Sequence, residues 1–215
     1  MTTEIIRNAF LAAAEEMRAV LTRSAFSPVI YEMKDCSVGL FNERGELLGQ
    51  APGLPFFLGA LSEIVQALIE IVGLDNFRAG DAYILNDPYL TGSHLNDVDI
   101  VSPVVQGEEV IGFAVTRAHW EDLGGKTATY SVDSTEIYQE GLRLGPTKLA
   151  ERWALCPDIV DILRRNSRMG VQIVGDMHAQ IAACRKGEQS YLGLVERFGL
   201  ETIRAAMTEV FAITE

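Results

Sequence analysis

Histidine is scarce in this 215-residue chain, with three in all, and cysteine is equally scarce. Cys36, Cys156 and Cys184 are odd in number, far apart and without a CxxC pair. That pattern argues against a disulfide framework and suits free thiols in a reducing compartment. Each reads as a buried structural cysteine, and Cys36 has a carboxylate, Asp35, beside it at the start of an expected strand. Basic residues are also few: 18 Lys and Arg stand against 30 Asp and Glu, a net charge of −12. A nucleic-acid backbone or an anionic membrane surface is therefore a poor partner. No run of 18 apolar residues occurs, and the N-terminus lacks a basic region followed by an apolar stretch and cleavage site. A cytoplasmic location is the default expectation.

What remains is the composition of a globular protein. Hydrophobic residues make up 48% and charged residues 22%, enough for a real core in one large domain or two small ones. Over residues 3–22, Ile6, Phe10, Ala13, Met17, Val20 and Leu21 recur at steps of three and four, predicting an amphipathic helix capped by Thr2 or Thr3. Cys36–Phe41 and Leu47–Gly49 flank a turn at Asn42–Gly45. A second helix is expected from Gly59 to Val72, burying Ala60, Ile64, Ala67, Leu68 and Ile71. Ala82–Leu85 reads as a buried strand running into a loop, Asn86–Asp97. Val98–Val105 and Val110–Arg117 read as a hairpin joined by Gln106–Glu109. Residues 126–157 read as irregular. Helices follow over 158–167, 171–186, 188–198 and 201–211, with Gly187 and Gly199 as stops. The expected class is mixed α+β: an antiparallel-containing sheet, an N-terminal helix and a helical last quarter.

The chemistry gathers in Asn86-Asp87-Pro88-Tyr89-Leu90-Thr91-Gly92-Ser93-His94-Leu95-Asn96-Asp97 and in His119, 22 residues beyond Asp97. In an antiparallel hairpin the start of one strand lies beside the end of the next. His94 and Asp97 precede the first strand and His119 follows the second, so all three reach one end of the sheet. A lone histidine there would be structural more often than not; two with an aspartate favour a metal. Two imidazoles and a carboxylate suit Zn²⁺, Mn²⁺ or Fe²⁺ and leave positions open, as catalytic sites do. Asp87, Asp99, Glu121 and Asp122 are placed to orient an imidazole, and Asp122 is also a candidate general base on water at the metal. His178 stands alone on a helix and reads as structural or surface. Gly125-Lys126-Thr127 imitates the tail of a phosphate loop, but Trp120 occupies the position that motif reserves for glycine. Gly124-Gly125 is expected to let the backbone pass close to the site.

These blocks, with Arg117-Ala118-His119-Trp120-Glu121-Asp122-Leu123-Gly124-Gly125, Asp133–Arg143, Ile5–Ala9, Gly175-Asp176 and Ala179–Ala183, resemble the hydantoinase B/5-oxoprolinase family over almost the whole chain. The resemblance implies a subunit of an ATP-dependent hydrolase of cyclic amides (hydantoins, 5-oxoproline, lactams), with acetone- and acetophenone-type ketone carboxylases as the alternative reaction. It implies one divalent metal on His94, Asp97 and His119, and ATP handled by a hydantoinase A-like partner subunit. Full members are at least twice this length, so residues 1–215 correspond to the N-terminal part of a larger subunit, with a further chain expected to supply the rest. A non-catalytic, truncated assembly subunit is the third reading. Two departures stand out: Gly53 and Phe57, where members commonly carry histidine, and Trp120, where a further histidine is frequent. Both imply a more apolar pocket.

Overall fold

A computed structural model describes residues 2–52, 60–129 and 131–214. In chain order the elements are α1 (Thr2–Ser24), α2 (Pro28–Tyr31), β1 (Cys36–Asn42), β2 (Leu47–Gln50), α3 (Ala60–Val72), β3 (Ala82–Leu85) and α4 (Pro88–Thr91). They continue as β4 (Asp97–Gln106), β5 (Glu109–His119), β6 (Thr147–Glu151), β7 (Ala154–Leu155), α5 (Pro157–Arg165), α6 (Gly170–Phe198) and α7 (Leu200–Thr214). The seven strands form one sheet in the order β2-β1-β5-β4-β3-β6-β7, every neighbouring pair antiparallel. The mixed α+β class is as expected.

Alternation along the strands divides the core in two. Val38, Leu40, Val98, Ile100, Ala114 and Ala118 face the larger helical layer, meeting Phe10 and Met17 of α1 and Met177 and Cys184 of α6. Phe41, Val101, Phe113 and Val115 face the other way, onto Leu61, Ile64, Val65 and Leu68 of α3. The helix of residues 60–72 is therefore rotated from the expected face: Ile71 is 55% exposed. Gly59, Gly53 and Phe57 lie outside the described residues.

Four other expectations change. The hairpin strands run further than their apolar cores suggest, taking in Asp97 and His119 and turning through Gly107 and Glu108. Residues 126–157 contain two strands at the sheet edge, where β6 pairs with β3 through Ala82 and Ala150. An edge strand tolerates the polar composition that made this stretch read as irregular. Gly187 does not end a helix. It lies inside α6, where a Cβ would sit 2.6 Å from Met17 Sδ and 3.1 Å from Ala114 Cβ, so glycine there lets α6 close on α1 and the sheet. Gly199, at φ +80°, does cap α6. Thr3 falls inside α1, and its hydroxyl donates to Glu209 at 2.5 Å.

Candidate metal centre

The site lies at the Asp97–His119 end of the sheet. Asp97 on β4 and His119 on β5 are direct cross-strand partners. On the far side of β5, Cys36 pairs with Ala118, and the ladder extends one step further as the His119 amide donates to the Asp35 carbonyl at 3.1 Å. Asp35, one residue before β1, thus falls in one row with His119 and Asp97, and the pairing puts the three side chains on the same face. Asp35 was not among the expected site residues. Its pairing with His119 joins positions 84 residues apart (119 − 35), so spacing within the hairpin gives no sign of it.

Asp97 is fully buried and organises both histidines. Its Oδ1 lies 3.0 Å from His119 Nδ1. Its Oδ2 accepts from the Ser93 hydroxyl and, at 3.3 Å, from the His94 amide, holding the turn that presents His94. The two imidazole rings lie 5.9 Å apart, centre to centre, at 89°. With Asp97 on Nδ1, the His119 side chain is 12% exposed, while His94 is solvent-facing. Asp35 Oδ1 is buried with no hydrogen-bond partner among the described residues, and Asp35 lies within electrostatic reach of His119, Asp97 and His94. A buried acceptor without a donor is an exception in folded proteins, and this one faces the same group as the two imidazoles. Among the described residues no three His, Cys, Asp or Glu side chains converge closely enough to hold a metal ion as they stand.

The electrostatics follow. Burial opposes the charge on His119, yet the hydrogen bond and charge of Asp97, with Asp35 and Glu121, outweigh it and raise the imidazole above its ordinary value. Burial also opposes ionisation of Asp97, but His119 and Ser93 hold that carboxyl below its usual range. Burial raises the Asp35 carboxyl, with Asp97 adding to the effect against the pull of the two histidines.

The other expected carboxylates have partners of their own. Asp87 caps α4 through the Tyr89 amide at 3.1 Å. Asp99 forms a two-pronged pair with Arg117, at 2.8 and 2.9 Å. Glu121 accepts from Ser27 and Gln172. Asp122 is not brought to the group. Its buried oxygens accept from Gly124 N, Ser167 Oγ, Arg168 N and, at 2.6 Å, Arg168 Nη1, which makes it an anchor for the segment entering α6 rather than a group placed to take a proton. Trp120 also turns away: its buried indole donates to Gln180 Oε1 at 2.8 Å inside the larger core, so it adds nothing apolar to the site. Gly124 and Gly125 do permit close backbone approach, but to Asn166 and Glu140. His178 is exposed on α6, as expected. A 720 Å³ cleft lined by Leu74, Phe77, Arg78, Val105 and Val110 lies at the far, turn end of the hairpin and has no metal-binding side chain but carboxylates.

This combination of sheet and site defines a recognisable class. The hydantoinase B/oxoprolinase family model matches residues 1–215. The chain belongs to that family. It is 33% identical over 211 residues to the caprolactamase subunit beta of Pseudomonas jessenii, covering 98% of this chain and 36% of that one. It is 30% identical to a 5-oxoprolinase of Dictyostelium discoideum, covering 96% of this chain and 16% of the other. The crystal structure of ATP-dependent caprolactamase from P. jessenii superposes with a TM-score of 0.88 at 31% identity, over 97% of this chain and 36% of that one. An acetone carboxylase structure shares the fold, with a TM-score of 0.87 at 19% identity over 93% and 27% of the respective chains. The chain thus spans well under half the length of these relatives.

Proposed function

We propose that this chain is the metal-binding part of a subunit of an ATP-dependent cyclic-amide hydrolase. What carries the reading is the row Asp35–His119–Asp97, with His94 set perpendicular to His119 beside it. Family membership and the 33% identity to a caprolactamase subunit support the substrate class.

In this reading the ion, Zn²⁺, Mn²⁺ or Fe²⁺, is held by His94, by His119 Nε2 and by Asp35, and Asp97 fixes the His119 tautomer. That assignment follows from hydrogen-bond supply: Asp97 already receives three donors, whereas Asp35 Oδ1 has none among the described residues. Two neutral imidazoles and one carboxylate leave a divalent ion with net positive charge and open positions, the composition of a catalytic centre. When bound, it would supply Lewis acidity toward an amide oxygen or water. Asp97, accepting from Nδ1–H, selects the tautomer of the neutral ring in which Nε2 carries the free lone pair. Asp122 serves as the loop anchor described above. ATP is bound by a hydantoinase A-like partner subunit. The reaction takes place in the cytoplasm on a small molecule.

The test is a paired assay of the assembled complex. One mixture holds ATP with a lactam or hydantoin, the other ATP with bicarbonate and a ketone. Ring opening in the first mixture alone is the expected result; carboxylated product in the second alone would transfer the chain to the ketone carboxylases.

A further inference from the structure

Gly175-Asp176, in the second turn of α6, takes no part in the site described above. Asp176 is nonetheless fully buried, and its Oδ1 accepts from the backbone amides of Phe26 and Ser27 at 2.7 and 3.0 Å. Gly175 makes this approach possible, because a Cβ there would strike the Phe26 ring. Ser27 is also fully buried. Its Oγ accepts from the Val29 amide at 3.2 Å, capping α2, and donates to Glu121 Oε2 at 3.2 Å. Glu121 is tied back to α6 through Gln172.

From α2 the connection continues to the metal centre. The Val29 carbonyl accepts from the Asp35 amide at 3.0 Å, and the Asp35 carbonyl accepts from the His119 amide at 3.1 Å. Each link is a hydrogen bond, running from α6 through the capped turn α2 to Asp35 and β5. We infer that Asp176 is a positioning residue: by holding residues 26 and 27 against α6, it sets α2 and thereby the place of Asp35 beside His119. The inference rests on the metal reading for its consequence, though not for its geometry.

Two readouts on the intact protein test it: hydrogen exchange at the Asp35 and His119 amides, and affinity for Co²⁺ with its visible absorption. Asp176→Ala is expected to speed exchange at both amides, to weaken Co²⁺ binding about tenfold or more and to alter the spectrum. Asp176→Asn keeps an acceptor oxygen and is expected to restore both. Met207→Ala, a buried substitution in α7, controls for lost stability. The inference is overturned if Asp176→Ala changes neither readout, or if Met207→Ala changes both equally. Should Asp176→Ala not fold, Ser27→Ala removes the cap and the Glu121 link and is judged by the same two outcomes. A wild-type chain that binds no Co²⁺ would sink the metal reading alone, leaving exchange to decide the latch.

Discussion

Asp99 and Arg117 face each other across β4 and β5 one step inward from Asp97 and His119, on the same face of the sheet and with no solvent exposure. Arg117 Nη2 also donates to the Thr91 carbonyl at 3.3 Å, so the pair joins the floor of the site to the end of the α4 turn that precedes His94. Removing one partner of such a pair strands a buried charge. Asp99→Ala is expected to cost about 3–5 kcal/mol in urea unfolding. A loss below about 1 kcal/mol would mean the guanidinium finds water, and the floor is not rigid.

Asp97 and Asp35 should separate by function although both are carboxylates in one row. Asp97→Asn keeps a carbonyl oxygen toward His119 and is expected to weaken metal binding by about 10–100-fold. Asp35→Ala removes the proposed oxygen ligand and is expected to abolish stoichiometric binding. Calorimetric titration with Zn²⁺ on both variants checks the order; the reverse order would return the ligand role to Asp97.

The pH dependence has opposite signs with and without metal. In the metal-free chain the His119 value is raised, so its contribution to stability is complete below the unfolded value of about 6.5 and is lost as pH rises through the folded value. Asp97, held low, contributes above its unfolded value and loses that contribution as pH falls through the folded one. A bound ion needs the neutral imidazole, so affinity should rise with pH until His119 has lost its proton. Thermal melts across pH, with chelator and with Zn²⁺, should diverge in this way. Parallel curves would show that His119 does not bind the ion.

Thiol chemistry offers a further check. Burial pushes Cys36 up to about 11 and Cys184 up to about 12, and both are sealed in the core, whereas Cys156 is partly accessible. A colorimetric thiol reagent at pH 8 is expected to modify one cysteine in the native chain and three after denaturation. Rapid reaction of two in the native chain would mean the sheet end beside Asp35 opens.

The hairpin was legible because two apolar runs around Gly107 fix their own pairing, and that pairing alone brings Asp97 to His119. Asp35 was not, because β1 joins β5 across a long stretch of chain and nothing in the local pattern around residues 31–36 records which strand it meets. The unbroken α6 was hidden for a related reason: Gly187 ends helices by default, and only the close approach of Met17 explains it within one. Asp122 was misplaced because neighbouring residues in a loop diverge. His119 faces the site, Trp120 the core, and Asp122 turns to Arg168. Proximity in sequence to a candidate site residue is a weak guide once the strand has ended.

Elemental analysis of the purified complex, comparing wild type with the His94→Ala, His119→Ala double variant, tests the metal centre most directly. About one equivalent of a divalent transition metal per chain in the wild type, lost in the double variant while circular dichroism is unchanged, is the expected result. A wild-type complex that is active on its substrate yet carries no such metal, or a double variant that retains it in full, would contradict the assignment.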